Sequence, residues 1–110
     1  MLGRAGRAGR DGVACYRSSV RPLVVSVLID LPPDHRFHVA TVEALRHAAD
    51  RLPAPVEVRV VPTDAIGDVD GVCTAGSAVV VGPGSPYRDQ EAVHEVVRAA
   101  RERGVPLVGT

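Results

Sequence analysis

Three groups of residues in this chain have the types and spacings that chemistry uses. The first is the run Gly82-Pro83-Gly84-Ser85-Pro86, where residues without a Cβ let backbone N–H groups turn toward an anion. The second comprises two thiols, Cys15 and Cys73, and four histidines, His35, His38, His47 and His94. The third is the acidic set Asp64, Asp68 and Asp70. By its residues alone the glycine run fits two roles: a plain turn or a phosphate cradle. It lacks both GxGxxG spacing and the lysine of a P-loop, which counts against phosphate. As a plain turn it is an ordinary βα connection, because glycine and proline dominate such turns on conformational grounds alone. The cysteines have no CxxC spacing and the histidines no metal-type spacing, so no zinc site and no disulfide framework is expected. The acidic set lacks the rest of a calcium loop and reads as a solvated loop. Cys73 precedes a strand rather than sitting on an activating turn, so it reads as an unreactive thiol.

The elements that would position these residues follow from apolar periodicity. Leu23 to Ile29 is a near-continuous apolar run, the pattern of a strand covered on both faces and therefore central in a parallel sheet. Pro32 and Pro33 end it. A helix is expected from about Phe37 to Leu52, with Val42, Leu45, Ala49 and Leu52 on its inner face and His47 on an outer one. Val56, Val58 and Val60 alternate with Glu57 and Arg59, which marks a second, half-exposed strand nearer an edge. Thr63 to Gly76 reads as loop with at most one short helix. Ala78 to Val81 forms a third, buried strand that runs directly into the Gly82 turn. Asp89 caps a helix whose inner face is Val93, Val96, Val97 and Ala100, with His94 outside, and Gly104 closes it. Val105 to Val108 is a fourth strand, after which a turn and a covering helix would complete the sheet. His38 lies after the first strand, on the side where open α/β sheets bind ligands.

The whole is an α/β chain, expected as a flavodoxin-like parallel sheet with helices on both faces, incomplete at the C-terminus. Residues 22–110 make one domain. Residues 1–21 carry five arginines against Asp11 and repeat Gly3, Gly6 and Gly9, so they read as a disordered Arg/Gly-rich tail or a misassigned start. All thirteen basic residues are arginine, and the net charge is zero. With +4 on residues 1–21, the folded part is mildly acidic, which excludes nucleic acid as an expected partner. No apolar run reaches the length of a membrane span and no secretory signal is present, so no membrane partner is expected and a reducing cytoplasm is the default compartment.

Three stretches, taken together and in order, resemble one family. Val42-Glu43-Ala44-Leu45-Arg46-His47-Ala48 is similar to a helix motif S-V-x-E-A-L-x-H-A. Val79-Val80-Val81-Gly82-Pro83-Gly84-Ser85 is similar to a strand followed by a P-G-G-F turn. Gly104-Val105-Pro106-Leu107-Val108-Gly109-Thr110 is similar to the strand that leads into a G-x-C-x-G nucleophile turn. These are motifs of the class I glutamine amidotransferase-like family, in particular the C-terminal domain of CTP synthase and its stand-alone relatives. The second motif departs from the family in reading Gly-Pro-Gly-Ser, and no ligase domain precedes the match, which points to a stand-alone relative.

The resemblance implies glutamine as substrate, ammonia supply in pyrimidine nucleotide biosynthesis or a hydrolytic variant of it, a ligase or synthase partner, and no cofactor or metal. It implies Gly84 as a backbone donor of the oxyanion hole and Gly109 and Thr110 as the flank of the nucleophile turn, with the nucleophile expected after Thr110. Gly82, Ser85 and His38 are the candidate substrate contacts. The family's histidine and glutamate come far downstream and are not in this chain, so the chain alone is expected to be inactive. Some stand-alone relatives resemble selenoproteins, and an in-frame UGA for selenocysteine after Thr110 would account for the boundary. The alternative is a non-catalytic α/β module that binds an anion or a partner chain through the Gly82 to Pro86 turn.

Overall fold

The structure is a computed structural model, and it describes residues 23–74 and 76–110. The tail expected over residues 1–21, with Cys15, lies outside the described residues. The elements run β1 (Leu23–Leu28), α1 (Arg36–Ala49), β2 (Val56–Val61), a 3-10 turn (Thr63–Ala65), α2 (Val69–Val72), β3 (Ser77–Val81), α3 (Gln90–Arg103) and β4 (Leu107–Gly109).

The strands form one four-stranded sheet in the order β2-β1-β3-β4, and every pairing is parallel. The continuous apolar run is therefore central and the alternating strand lies at an edge, as their patterns require. From β1 the chain steps to β2 on one side, whereas from β3 it steps to β4 on the other. Right-handed crossovers in opposite directions place their helices on opposite faces. The core divides accordingly. Val27, Ile29 and Val80 are buried on the face where Leu45 of α1 packs. Leu28, Val79 and Val81 are buried on the other, against Val93, Val96 and Ala100 of α3 and Ile66, Val72 and Cys73 of the connection before β3. Alternate residues of a strand point to opposite faces, so the unbroken apolar run in β1 serves both layers.

Four features differ from the sequence expectation. Helix α1 ends at Ala49 and not near Leu52, because its last amides tighten: Arg51 N donates to Ala48 O (3.1 Å) and Leu52 N to Ala49 O (3.1 Å) just before Pro53. Leu52 is consequently 52 % exposed and plays no part in the core. In α3, Ala99 is buried and Val97 is 39 % exposed. The Ala99 flank faces α2, as Arg103 shows by pairing with Asp70 and donating to Cys73 O. Strand β4 begins at Leu107 because the Val105 amide is used to cap α3, donating to Ala100 O at 2.9 Å. The segment from Thr63 to Gly76 holds both the 3-10 turn and α2, one element more than expected.

Asp89 caps α3 by accepting from Ala92 N at 3.0 Å, and Gly104 closes the helix in the left-handed region, φ 70°. His35 caps α1 through Nδ1, which accepts from Phe37 N at 3.1 Å. Among the described residues no helix is long and apolar enough to cross a membrane.

Candidate functional site

The winding reverses between β1 and β3, which makes their carboxyl ends a topological switch point, the place where open α/β sheets hold ligands. The residues that emerge there are Asp30 and Leu31 after β1, Thr63 after β2, Gly82 to Arg88 after β3, and Thr110 after β4.

Gly82 is buried and continues the β3 line, its amide donating to Leu28 O at 2.8 Å. A Cβ there would meet the Ile29 side chain and Leu28 O at 3.2 Å, so the loop leaves the sheet at a tight position where a side chain would require its neighbours to give by a few tenths of an ångström. Tyr87 ties the far end of the loop back, its hydroxyl donating to Gly82 O at 2.6 Å. Between these anchors Gly84 is exposed with φ +110°, a backbone region that other residues rarely enter. A Cβ on Gly84 would lie 2.8 Å from Leu31 Cγ, so glycine is needed there for conformation and for packing. No hydrogen bond from the Gly84 amide is seen among the described residues, which leaves an unused donor on an exposed loop at a strand's carboxyl end.

The other expected site residues divide. Gly109 stands opposite Val81 in the β3–β4 register, and Thr110 then donates to Val81 O from both its amide (3.0 Å) and its hydroxyl (3.2 Å). This brings Gly109 and Thr110 beside the start of the Gly82 turn, one strand away. His38 is 9 % exposed, with Nδ1 3.0 Å from Leu31 O. It shares Leu31 with Gly84 and holds the backbone after β1. Ser85 is exposed on the loop, and no contact joins its side chain to the others.

Asp30 is the residue that sequence reasoning missed. Its Oδ1 accepts from Thr63 N at 2.8 Å; its Oδ2 accepts from Thr63 Oγ1 at 2.7 Å and from Arg88 N at 2.7 Å. Thr63, 1 % exposed, accepts in turn from Asp89 N at 3.0 Å. Partial burial pushes the Asp30 carboxyl up, but the hydrogen bonds from Arg88 N and Thr63 outweigh it and hold the carboxyl below the usual aspartate value. A charged residue immediately after an apolar β1 run was the available signal. Its partners lie 33 and 58 positions away, and no local pattern reveals them.

The remaining acidic residues are used locally. Asp68 accepts from Asp70 N at 3.0 Å, Asp70 pairs with Arg103, and Asp64 lies 3.8 Å from Arg88. No group of metal-ligating side chains converges among the described residues. Cys73 is buried, with Sγ 3.6 Å from Val96 O. Burial raises its thiol pKa, and Asp70 adds to this against the opposing pull of Arg103, so the thiol is poorly disposed to act as a nucleophile. His47 and His94 are exposed on their helices.

The arrangement can therefore offer one backbone donor to a developing negative charge, beside the end of a neighbouring strand. Comparison of the chain with protein-family models, with curated proteins and with solved structures finds no match.

Proposed function

We propose that residues 23–110 are the front part of a flavodoxin-like glutamine amidotransferase domain, similar to the C-terminal domain of CTP synthase. In this reading the Gly84 amide forms one side of the oxyanion hole and the nucleophile follows Thr110. The observation that carries the proposal is the placement of two ends: the Gly82 turn leaves β3 where Thr110 leaves β4, with Thr110 N 3.0 Å from Val81 O. A nucleophile on the next residue would stand beside a loop whose amide at Gly84 has no hydrogen-bond partner among the described residues.

The chemistry that this geometry supports is acyl transfer. A thiolate or selenolate after Thr110 attacks the side-chain amide carbon of glutamine, and the carbonyl electrons move onto oxygen. A backbone N–H aimed at that oxygen stabilises the charge where it develops. Ammonia then leaves, and water releases glutamate from the enzyme. The histidine that activates the nucleophile and moves the protons, and the glutamate that orients it, belong to downstream sequence in this reading. Within it the substrate is glutamine, the partner is a ligase or synthase that uses ammonia, no cofactor takes part, and the compartment is the reducing cytoplasm.

The test begins with the gene beyond codon 110. A UGA or cysteine codon followed by a glycine codon, and then a frame encoding a helix and a later histidine and glutamate, is the expected result. The protein made from that frame should release ammonia from glutamine, the 110-residue chain should release none, and Gly84→Ala in the longer protein should lower kcat by roughly 100-fold. A frame that degenerates directly after Thr110 would overturn the enzyme reading and leave the rival, a non-catalytic α/β module that uses the Gly82 to Pro86 turn to bind an anion or a partner chain.

A further inference from the structure

The turn that carries Gly84 is anchored at its start by the sheet and at its end by a carboxylate from a different strand. A backbone hydrogen bond secures the first anchor: the buried Gly82 amide donates to Leu28 O at 2.8 Å. The second anchor is polar. Asp30 receives Arg88 N and both donors of Thr63, and Thr63 Oγ1 receives Asp89 N, so one carboxylate and one hydroxyl join the ends of β1 and β2 to the last residues before α3. Between the anchors Leu31, the neighbour of Asp30, fills the space beside Gly84 that a Cβ would need. Moving the end of β1 therefore moves both the far end of the turn and the surface against which Gly84 rests.

We propose that Asp30 and Thr63 are the positioning pair of the Gly82 to Tyr87 turn, fixing where the Gly84 amide points by holding Arg88 and Asp89 to the ends of β1 and β2. The functional weight of the pair rests on reading this turn as the oxyanion side of the site. Its existence does not, and it can be tested on the 110-residue chain without any nucleophile.

The pair is strongest while Asp30 is ionised, since protonation turns one acceptor site of the carboxyl into a donor and weakens the charge-assisted bonds from Thr63 N, Thr63 Oγ1 and Arg88 N. The charged groups around it are Arg88 on the turn, Asp64 on the 3-10 turn and Asp89 at the start of α3; His38 on α1 faces the Leu31 carbonyl instead. Because the folded carboxyl lies below its ordinary value, its stabilising effect is complete above that ordinary value and is lost as the pH falls through the lowered one.

The experiment is amide hydrogen exchange and NMR titration of the full chain and three variants, Asp30→Asn, Thr63→Val and Thr63→Ser. In Asp30→Asn and Thr63→Val, exchange at Arg88 and Asp89 should rise roughly tenfold or more, and the Gly84 amide resonance should move. Exchange at Val79 and Val80 in the sheet should stay within about twofold of the parent. Thr63→Ser, which keeps the hydroxyl, should restore the parent pattern. In the parent, the amides of Thr63, Arg88 and Gly84 should titrate with one midpoint below that of a free aspartate, and Asp30→Asn should abolish the titration. Unchanged exchange at Arg88 and Asp89 in both variants overturns the proposal. So does a uniform rise that includes Val79 and Val80, which would make the pair a general stabiliser. Should Asp30→Asn fail to fold, the contrast between Thr63→Val and Thr63→Ser decides by the same criteria.

Discussion

At Gly84 two demands meet on one residue. Its φ of +110° is a conformation that other residues rarely adopt, and its missing Cβ makes room for Leu31. An alanine there would meet both demands badly: the backbone strain alone costs roughly 1–3 kcal/mol, and contact with Leu31 Cγ at 2.8 Å adds to it. Urea denaturation should show Gly84→Ala less stable by about that amount or more. Pairing it with Leu31→Ala should relieve the contact but not the backbone strain, so the double variant should lose less than the two single losses added together. Strict additivity would mean that Leu31 and the turn are uncoupled. For the same reason a fall in activity of a Gly84 variant has to be read beside its stability, since the residue has a structural reason to be glycine as well as a proposed chemical one.

Helix α3 sets the turn's exit, and its two ends are held by different means. Asp89 satisfies an otherwise unpaired amide at the start, and Gly104 takes the left-handed conformation at the end, where Val105 N returns to Ala100 O. Each cap contributes about 1 kcal/mol, the cost expected for Asp89→Ala and for Gly104→Ala in thermal or chemical unfolding. The two differ in reach. Asp89 N also donates to Thr63 Oγ1, a bond made by the backbone and therefore kept in the alanine variant. Asp89→Ala should lower stability while leaving the Thr63 and Asp30 contacts in place, whereas loss of Thr63 protection in that variant would show that cap and anchor act as one unit.

Over the whole molecule, the sheet has two unlike edges. Strand β2 presents Glu57 and Arg59, which pair with each other at 2.9 Å, and such charges discourage the addition of further strands. Among the described residues strand β4 has no such guard. Val108 is 60 % exposed, and with Ala40, Ala44, Leu45 and Val80 it lines an apolar groove of about 420 Å³ between α1 and the sheet. An unpaired edge beside uncovered apolar surface promotes aggregation. The 110-residue chain should therefore lose solubility as its concentration rises, and Val108→Lys should raise the concentration at which it stays monomeric in sedimentation. A parent chain that is monomeric throughout, with the variant no different, would show that this edge is benign.

The α/β class, the central place of the Leu23 to Ile29 run, the edge character of Val56 to Val60 and the turn at Gly82 were legible in the residues alone, because each follows from a periodicity of two or 3.6 or from the fixed backbone preferences of glycine and proline. Asp89 and Gly104 were legible for the same local reason. Tertiary structure alone decided the rest. Whether Val97 or Ala99 would be buried depended on which flank of α3 meets α2, and whether Leu52 would pack depended on how the chain tightened before Pro53. That Thr110 leaves the sheet beside the Gly82 turn follows from strand order, which no single segment encodes. Asp30 was the least legible residue of all. Nothing near it in sequence accepts or donates to its carboxylate, and the contacts that define it exist only once strand β2 and the turn after β3 have been brought to the same end of the sheet.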